Sequence, residues 1–117
     1  PEAIRRGQLY AEHGADCIYV PGLPYRGQSA EEARRDIALL VREVGLPVNL
    51  LASPLLPPVS VLRDLGVRRV SAGSGLFRLA YATATEIAAR TLSDGDFGGF
   101  AAAGKLPHPE VNRLLSA

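Results

Sequence analysis

Apolar residues along the chain switch repeatedly between a helical and an extended spacing. The helical stretches are residues 1–13, 29–45, 59–65, 76–92 and, near the end, 109–115. Ser29 and Glu32 have capping-box spacing, which gives the second helix a defined start, and Gly45 can end it. In the longest helix the pattern places Leu79 and Ile87 on a buried side. The Gly- and Ala-rich segment after Asp96 is expected to be irregular.

Three short apolar runs, residues 15–20, 47–52 and 67–72, separate the helices. Each run is typical of a strand that is covered on both faces. Cys17 lies in the first run, where we expect it to be a small core residue. The order αβαβαβα implies parallel strands joined by right-handed crossovers.

Two architectures share this order, a doubly wound open sheet and a (β/α)₈ barrel. No strand is followed by the G-x-G-x-x-G fingerprint of dinucleotide-binding sheets. The third strand runs directly into Gly73-Ser74-Gly75 and a helix, as late barrel strands often do. The pattern therefore favours part of a barrel, with three strands in chain order and helices on one side. The 117 residues are too few for a complete barrel of roughly 200–250.

Composition and charge narrow the class of protein. The formal net charge is +1 with acids and bases interspersed, so a nucleic acid partner is not expected. No apolar run approaches the roughly 20 residues that span a bilayer, and no signal peptide precedes the first helix, so no membrane partner is expected either. Cys17 is the only cysteine, which fits a cytoplasmic location. The chain starts at Pro1 and contains no Met, so we expect a piece of a longer product, a processed chain being the alternative.

Several helix-to-strand joints carry a resemblance to a known family. They are YAEHGADCIYVPG at 10–22, LPVNLL at 46–51, LGVRRVSAG at 65–73, LSDGDF at 92–97 and NRLL at 112–115. The first resembles the passage into strand 6 of the isocitrate lyase / phosphoenolpyruvate mutase family, and the next two resemble its strands 7 and 8. The resemblance covers nearly the whole chain in the family's order.

The resemblance implies that residues 1–117 are the C-terminal part, about strands 6–8, of a single (β/α)₈ TIM-type barrel domain. It implies a Mg²⁺-dependent parent enzyme that cleaves or forms a C–C or C–P bond in a small 2-oxo or 2-hydroxy carboxylate or a phosphonate. The family's metal ligands and catalytic loop lie in the N-terminal half, so the catalytic residues are unknown and this chain alone should be inactive. A homo-oligomer is also implied, because the family's eighth helix, here Leu76 to Leu92, packs on a neighbouring subunit. The alternative is an ordinary helix on its own strand.

Candidate substrate-binding residues lie where the strands end, since a parallel barrel carries its active site there. Alternation puts Asn49, Leu51 and Ser53 on one face of the second strand. Asn49 is either a ligand for a carboxylate or phosphoryl group or a core amide satisfied by the protein. Ser53 matches the place of a substrate-contacting hydroxyl residue in the resembling family. The sequence departs from some members at Pro21, where they have Glu or His.

Ser74 and Gly75 are further candidates, because free amides at a helix start attract anions such as phosphate or carboxylate. The alternative there is a simple tight turn. His13 and His108 lack partners at metal-ligand spacing and are expected on the surface. Two other functions stay open: a non-catalytic half-barrel that works by association through its open sheet edges, and the late half of another phosphate-binding barrel.

Overall fold

The computed structural model describes residues 2–116, which divide into one unit that ends at Gly75 and another that begins at Leu76. The helices and strands of the first unit are α1 (Glu2–Glu12), β1 (Ile18–Val20), α2 (Ala30–Val44), β2 (Val48–Leu51), α3 (Val59–Asp64) and β3 (Arg69–Ser71). They are followed by α4 (Gly75–Asp94), a 3₁₀ helix (Gly98–Lys105) and α5 (His108–Leu115). The predicted order is confirmed, although each strand is shorter than expected.

The three strands form one parallel sheet in the order β1-β2-β3. Ile18 pairs with Val48, and Asn49 pairs with Arg69. The predicted parallel pairing in chain order is therefore confirmed.

Helix α2 begins and ends at the residues that the sequence indicates. Ser29 Oγ accepts a hydrogen bond from the Glu32 backbone N–H at 3.2 Å, and the Glu32 carboxylate accepts one from the Ser29 N–H at 2.8 Å. Gly45 ends the helix in the left-handed conformation, with φ of 71°. A defined start and stop fix which residues of α2 turn toward the sheet.

The hydrophobic core of the first unit lies on one side of the sheet. Ile18, Val48 and Leu50 pack there with the buried stripe of α2 and with α3, through Ile37, Leu40, Val44 and Leu62. Because successive side chains of a strand point to opposite faces, Asn49 and Leu51 point away from this helix layer. In a barrel that opposite face is the interior.

Helices α1 and α2 approach each other closely at a glycine. Gly7 is buried, and a Cβ atom added to it would lie 2.8 Å from Val44 Cγ2. The absence of a side chain at this position lets α1 rest directly on the end of α2.

Several sequence predictions are wrong. Cys17 is exposed, because it precedes the three residues of β1 that pair with β2. Tyr19 is 47% exposed, so within the described residues β1 is covered on one face only. The Gly- and Ala-rich segment forms a 3₁₀ helix instead of an irregular loop.

The expected buried side of α4 is also wrong, since Leu79 is 65% exposed and no residue described from Leu76 onward is buried. The second unit consists of one long helix and two short ones, and these give α4 too little cover. None of the helices that the structure describes is both long and apolar enough to cross a membrane.

Candidate functional site

The carboxyl ends of the three strands meet at one edge of the sheet. The strands end at Val20, Leu51 and Ser71. Beyond the paired residues, the Ala52 N–H donates to the Ser71 carbonyl oxygen at 2.8 Å. This bond joins the start of the loop after β2 to the last residue of β3, so the loop that carries Ser53 begins beside the end of β3.

Asn49 is the buried polar residue of this edge. Its side chain is 1% exposed and lies on the face away from the helices. Its Nδ2 donates to Ser71 Oγ at 2.9 Å, and the Ser71 hydroxyl donates to Asn49 Oδ1 at 3.2 Å. The carboxamide is therefore satisfied by a neighbouring strand, as a buried amide must be.

Ser71 is the residue that sequence reasoning missed. It is half-buried and ends β3, where it pairs in register with Leu51. The sequence does contain a signal for it: a buried amide in one strand needs a polar partner, and Ser71 is a hydroxyl residue in the adjacent strand. Finding it required the register between β2 and β3, which the two runs do not specify on their own.

Ser53 lies exposed in the loop between β2 and α3. Its Oγ accepts a hydrogen bond from the Leu55 N–H at 3.3 Å, and its carbonyl accepts one from the Leu56 N–H at 3.1 Å. These bonds fold the loop back on itself directly after β2. Within the described residues no acceptor for the Ser53 hydroxyl hydrogen is seen, so this hydrogen can be donated to a ligand.

Ser74 and Gly75 are exposed where β3 passes into α4. Gly75 donates its N–H to the Ala72 carbonyl at 3.0 Å, so this amide is already engaged in a turn. The turn depends on Gly73, which has φ of +55° and whose added Cβ would lie 3.0 Å from Leu51 Cδ1. Within residues 2–116 no hydrogen bond joins Ser53, Ser74 and Gly75 to one another or to Asn49.

Carboxyl groups with a lowered pKa lie on helices α1 and α2. Hydrogen bonds from Arg5 and Arg6 lower the pKa of Glu2 to about 2, and hydrogen bonds from Ser29 lower the pKa of Glu32. In the described part of the chain no three His, Cys, Asp or Glu side chains lie close enough to hold a metal ion. The residues present therefore do not form a Mg²⁺ site, and no chemical step through a metal follows from them.

Residues 1–92 match the family described as phosphoenolpyruvate phosphomutase. The chain belongs to this family. Among solved structures it is similar to a protein from Burkholderia cenocepacia J2315 that is assigned as a lyase/mutase, with 35% identity and a TM-score of 0.79. That similarity covers 99% of this chain and 39% of the other, so the chain spans well under half the length of that relative. No curated protein matches the chain.

As a member of the phosphoenolpyruvate phosphomutase family, the chain forms part of a (β/α)₈ barrel with parallel strands and outer helices. A groove of about 450 Å³ lies at the amino-terminal end of β3, where Leu62, Arg63 and Arg68 line it. Barrel enzymes carry their chemistry at the opposite, carboxyl end of the strands. The groove is therefore not the candidate site, and the edge around Asn49 and Ser71 is.

Proposed function

We propose that the chain is the C-terminal part, about strands 6–8, of a single barrel domain in a longer Mg²⁺-dependent enzyme. This enzyme cleaves or rearranges a C–C or C–P bond in a small 2-oxo or 2-hydroxy carboxylate or a related phosphonate. The observation that carries the proposal is the family match over residues 1–92, in a fold whose strand ends bear hydroxyl and amide groups. Neutral hydrogen-bond donors of this kind bind carboxylate or phosphoryl oxygens.

The exposed candidates on this edge would contact the anionic part of the substrate. Ser53 keeps a hydroxyl hydrogen for a ligand, since its described hydrogen bond uses the oxygen as acceptor. Ser74 and Gly75 lie exposed in the turn that follows β3, at the same edge, where the Ser74 hydroxyl would donate to an anion. Asn49 is too deeply buried to contact the substrate directly unless its neighbours move. It would therefore act through Ser71, to which its side chain is hydrogen-bonded.

The metal belongs to the part of the domain outside these 117 residues. Mg²⁺ would stabilise the negative charge that develops on an enolate-like oxygen. The described residues supply no cluster of carboxylates for it. What this chain contributes is therefore the binding and orientation of the substrate.

Helix α4 would take part in the assembly of a homo-oligomer. Leu76, Phe77, Leu79 and Tyr81 are all more than 60% exposed, and the rings of Phe77 and Tyr81 lie 4.4 Å apart. An apolar helix surface of this size is normally covered by another chain. This surface also supports the alternative of a barrel segment that works by association.

The test is an assay of the complete enzyme for release of pyruvate or glyoxylate from small 2-hydroxy carboxylates and phosphonates. We expect release that stops with EDTA and returns with added Mg²⁺. The matched control is the 117-residue chain alone, which should release neither product. Release that is insensitive to EDTA would contradict the metal requirement. No release from any of these compounds would contradict the proposed substrate class.

A further inference from the structure

We propose that Ser71 is itself a substrate-binding residue and that Asn49 positions its hydroxyl group. The inference rests on the proposed function, which it deepens by naming the donor that meets the substrate carboxylate. It follows from the partly buried side-chain hydrogen bonds that join Asn49 of β2 to Ser71 of β3.

The positions of Asn49 and Ser71 give the two residues different roles. Asn49 lies within β2 and is 1% exposed, so a ligand cannot reach its carboxamide without displacing neighbouring atoms. Ser71 is half-buried and ends β3 on the same face, at the end of the strand where barrel active sites lie. A ligand above the strand ends would therefore meet Ser71 before Asn49.

The Ser71 hydroxyl group exchanges two hydrogen bonds with the Asn49 carboxamide, and the bond that it donates is the longer one. Ser71 Oγ accepts from Asn49 Nδ2 at 2.9 Å and donates to Asn49 Oδ1 at 3.2 Å, so a bound ligand would compete only with the longer bond. When the amide donates, the serine oxygen is the acceptor and its own hydrogen can point to a ligand. A carboxylate is a stronger acceptor than a carboxamide oxygen, so an anionic substrate favours this arrangement.

The backbone around Ser71 holds the hydroxyl in place. The Ser71 carbonyl accepts the Ala52 N–H at 2.8 Å, which ties the strand end to its neighbour. Two residues later stands Gly73, where an added Cβ would lie only 3.0 Å from Leu51 Cδ1. Because residue 73 has no side chain, the space beside Leu51 at the strand end stays open.

The test compares Ser71→Ala, Ser71→Thr and a matched control, Ser60→Ala, in the complete enzyme with Mg²⁺ present. Ser60 is an exposed serine of α3, outside the site. We expect Ser71→Ala to raise KM for the carboxylate substrate about 10- to 100-fold, which corresponds to one lost hydrogen bond to a charged group. The kcat should change by less than about twofold, since the lost contact binds ground state and transition state alike.

Ser71→Thr retains the hydroxyl group and should bring KM back to within about threefold of wild type. If Ser71 were merely structural, Ser71→Ala would instead have a lower unfolding temperature and a KM equal to that of Ser60→Ala. That result would overturn this inference but leave the proposed function standing. A wild-type enzyme without turnover would overturn the proposed function and this inference with it. The two failures are thus distinguishable.

Discussion

The contact between α1 and α2 at Gly7 allows a stability prediction in which two opposing effects are compared. A Gly→Ala change inside a helix normally stabilises it by about 1 kcal/mol through backbone entropy. Here the added Cβ would lie 2.8 Å from Val44 Cγ2 and 3.2 Å from Cγ1, well inside the ordinary carbon contact of roughly 3.5–4.0 Å. Val44 is buried and its χ1 angle is restricted in a helix, so the side chain cannot rotate away cheaply.

Overpacking of this kind costs typically about 1–3 kcal/mol, which exceeds the propensity gain. We therefore expect Gly7→Ala to lower the free energy of unfolding by about 1 kcal/mol, measured by urea denaturation. Gly22→Ala is the control, because no atom lies within 4 Å of its added Cβ, and it should change little. In a Val44→Ala background the Gly7→Ala change should become neutral or stabilising. A single Gly7→Ala variant that gained about 1 kcal/mol would refute the close contact.

Further predictions concern the cap of α2, the site and the exposed helix. Ser29→Ala should lower the free energy of unfolding by about 1 kcal/mol at pH 7 in urea denaturation. Because Ser29 lowers the pKa of Glu32, the stabilisation is present above the ordinary Glu pKa and is lost as pH falls through the lowered value. The stability difference between wild type and Glu32→Gln should thus shrink from pH 7 to pH 3, and an equal difference at both would contradict the linkage. Ser53→Ala in the complete enzyme should lower kcat/KM about tenfold with unfolding changed by less than about 0.5 kcal/mol, and an unchanged kcat/KM would remove Ser53 from the site. Phe77→Glu should shift the complete protein toward smaller species in sedimentation at micromolar concentration, while Ala89→Glu, on the other side of the same helix, should not. A monomeric wild type would contradict association.

Local signals in the sequence were sufficient for most of the first unit. Helix α2 begins at the capping box of Ser29 and Glu32 and ends at Gly45, as the sequence indicates. The parallel order of the strands followed from the alternation of elements, because that alternation leaves few other connections. These features depend on residues close together in the chain.

Features that depend on distant residues could not be predicted in the same way. The partner of Asn49 is set by the register between β2 and β3, and a shift of one position would have turned Ser71 to the other face. The exposure of Cys17 and Leu79 depends on which layers cover each element, and an apolar pattern does not say whether that cover lies in the same chain. The 3₁₀ helix at Gly98–Lys105 forms despite three glycines, against their low helical propensity.

The parallel register has a consequence for the order in which the sheet assembles. Ile18 and Val48 are 30 positions apart, whereas Asn49 and Arg69 are 20 apart. The entropy of closing these two loops differs by only ~0.4 kcal/mol, less than one buried methylene contributes. The burial of apolar side chains therefore determines which strands pair first. It favours the pairing of β1 with β2, since Ile18, Val48 and Leu50 all join the core beneath α2. The folding nucleus should be the β1-α2-β2 crossover, with β3 and the Asn49–Ser71 bond added afterwards.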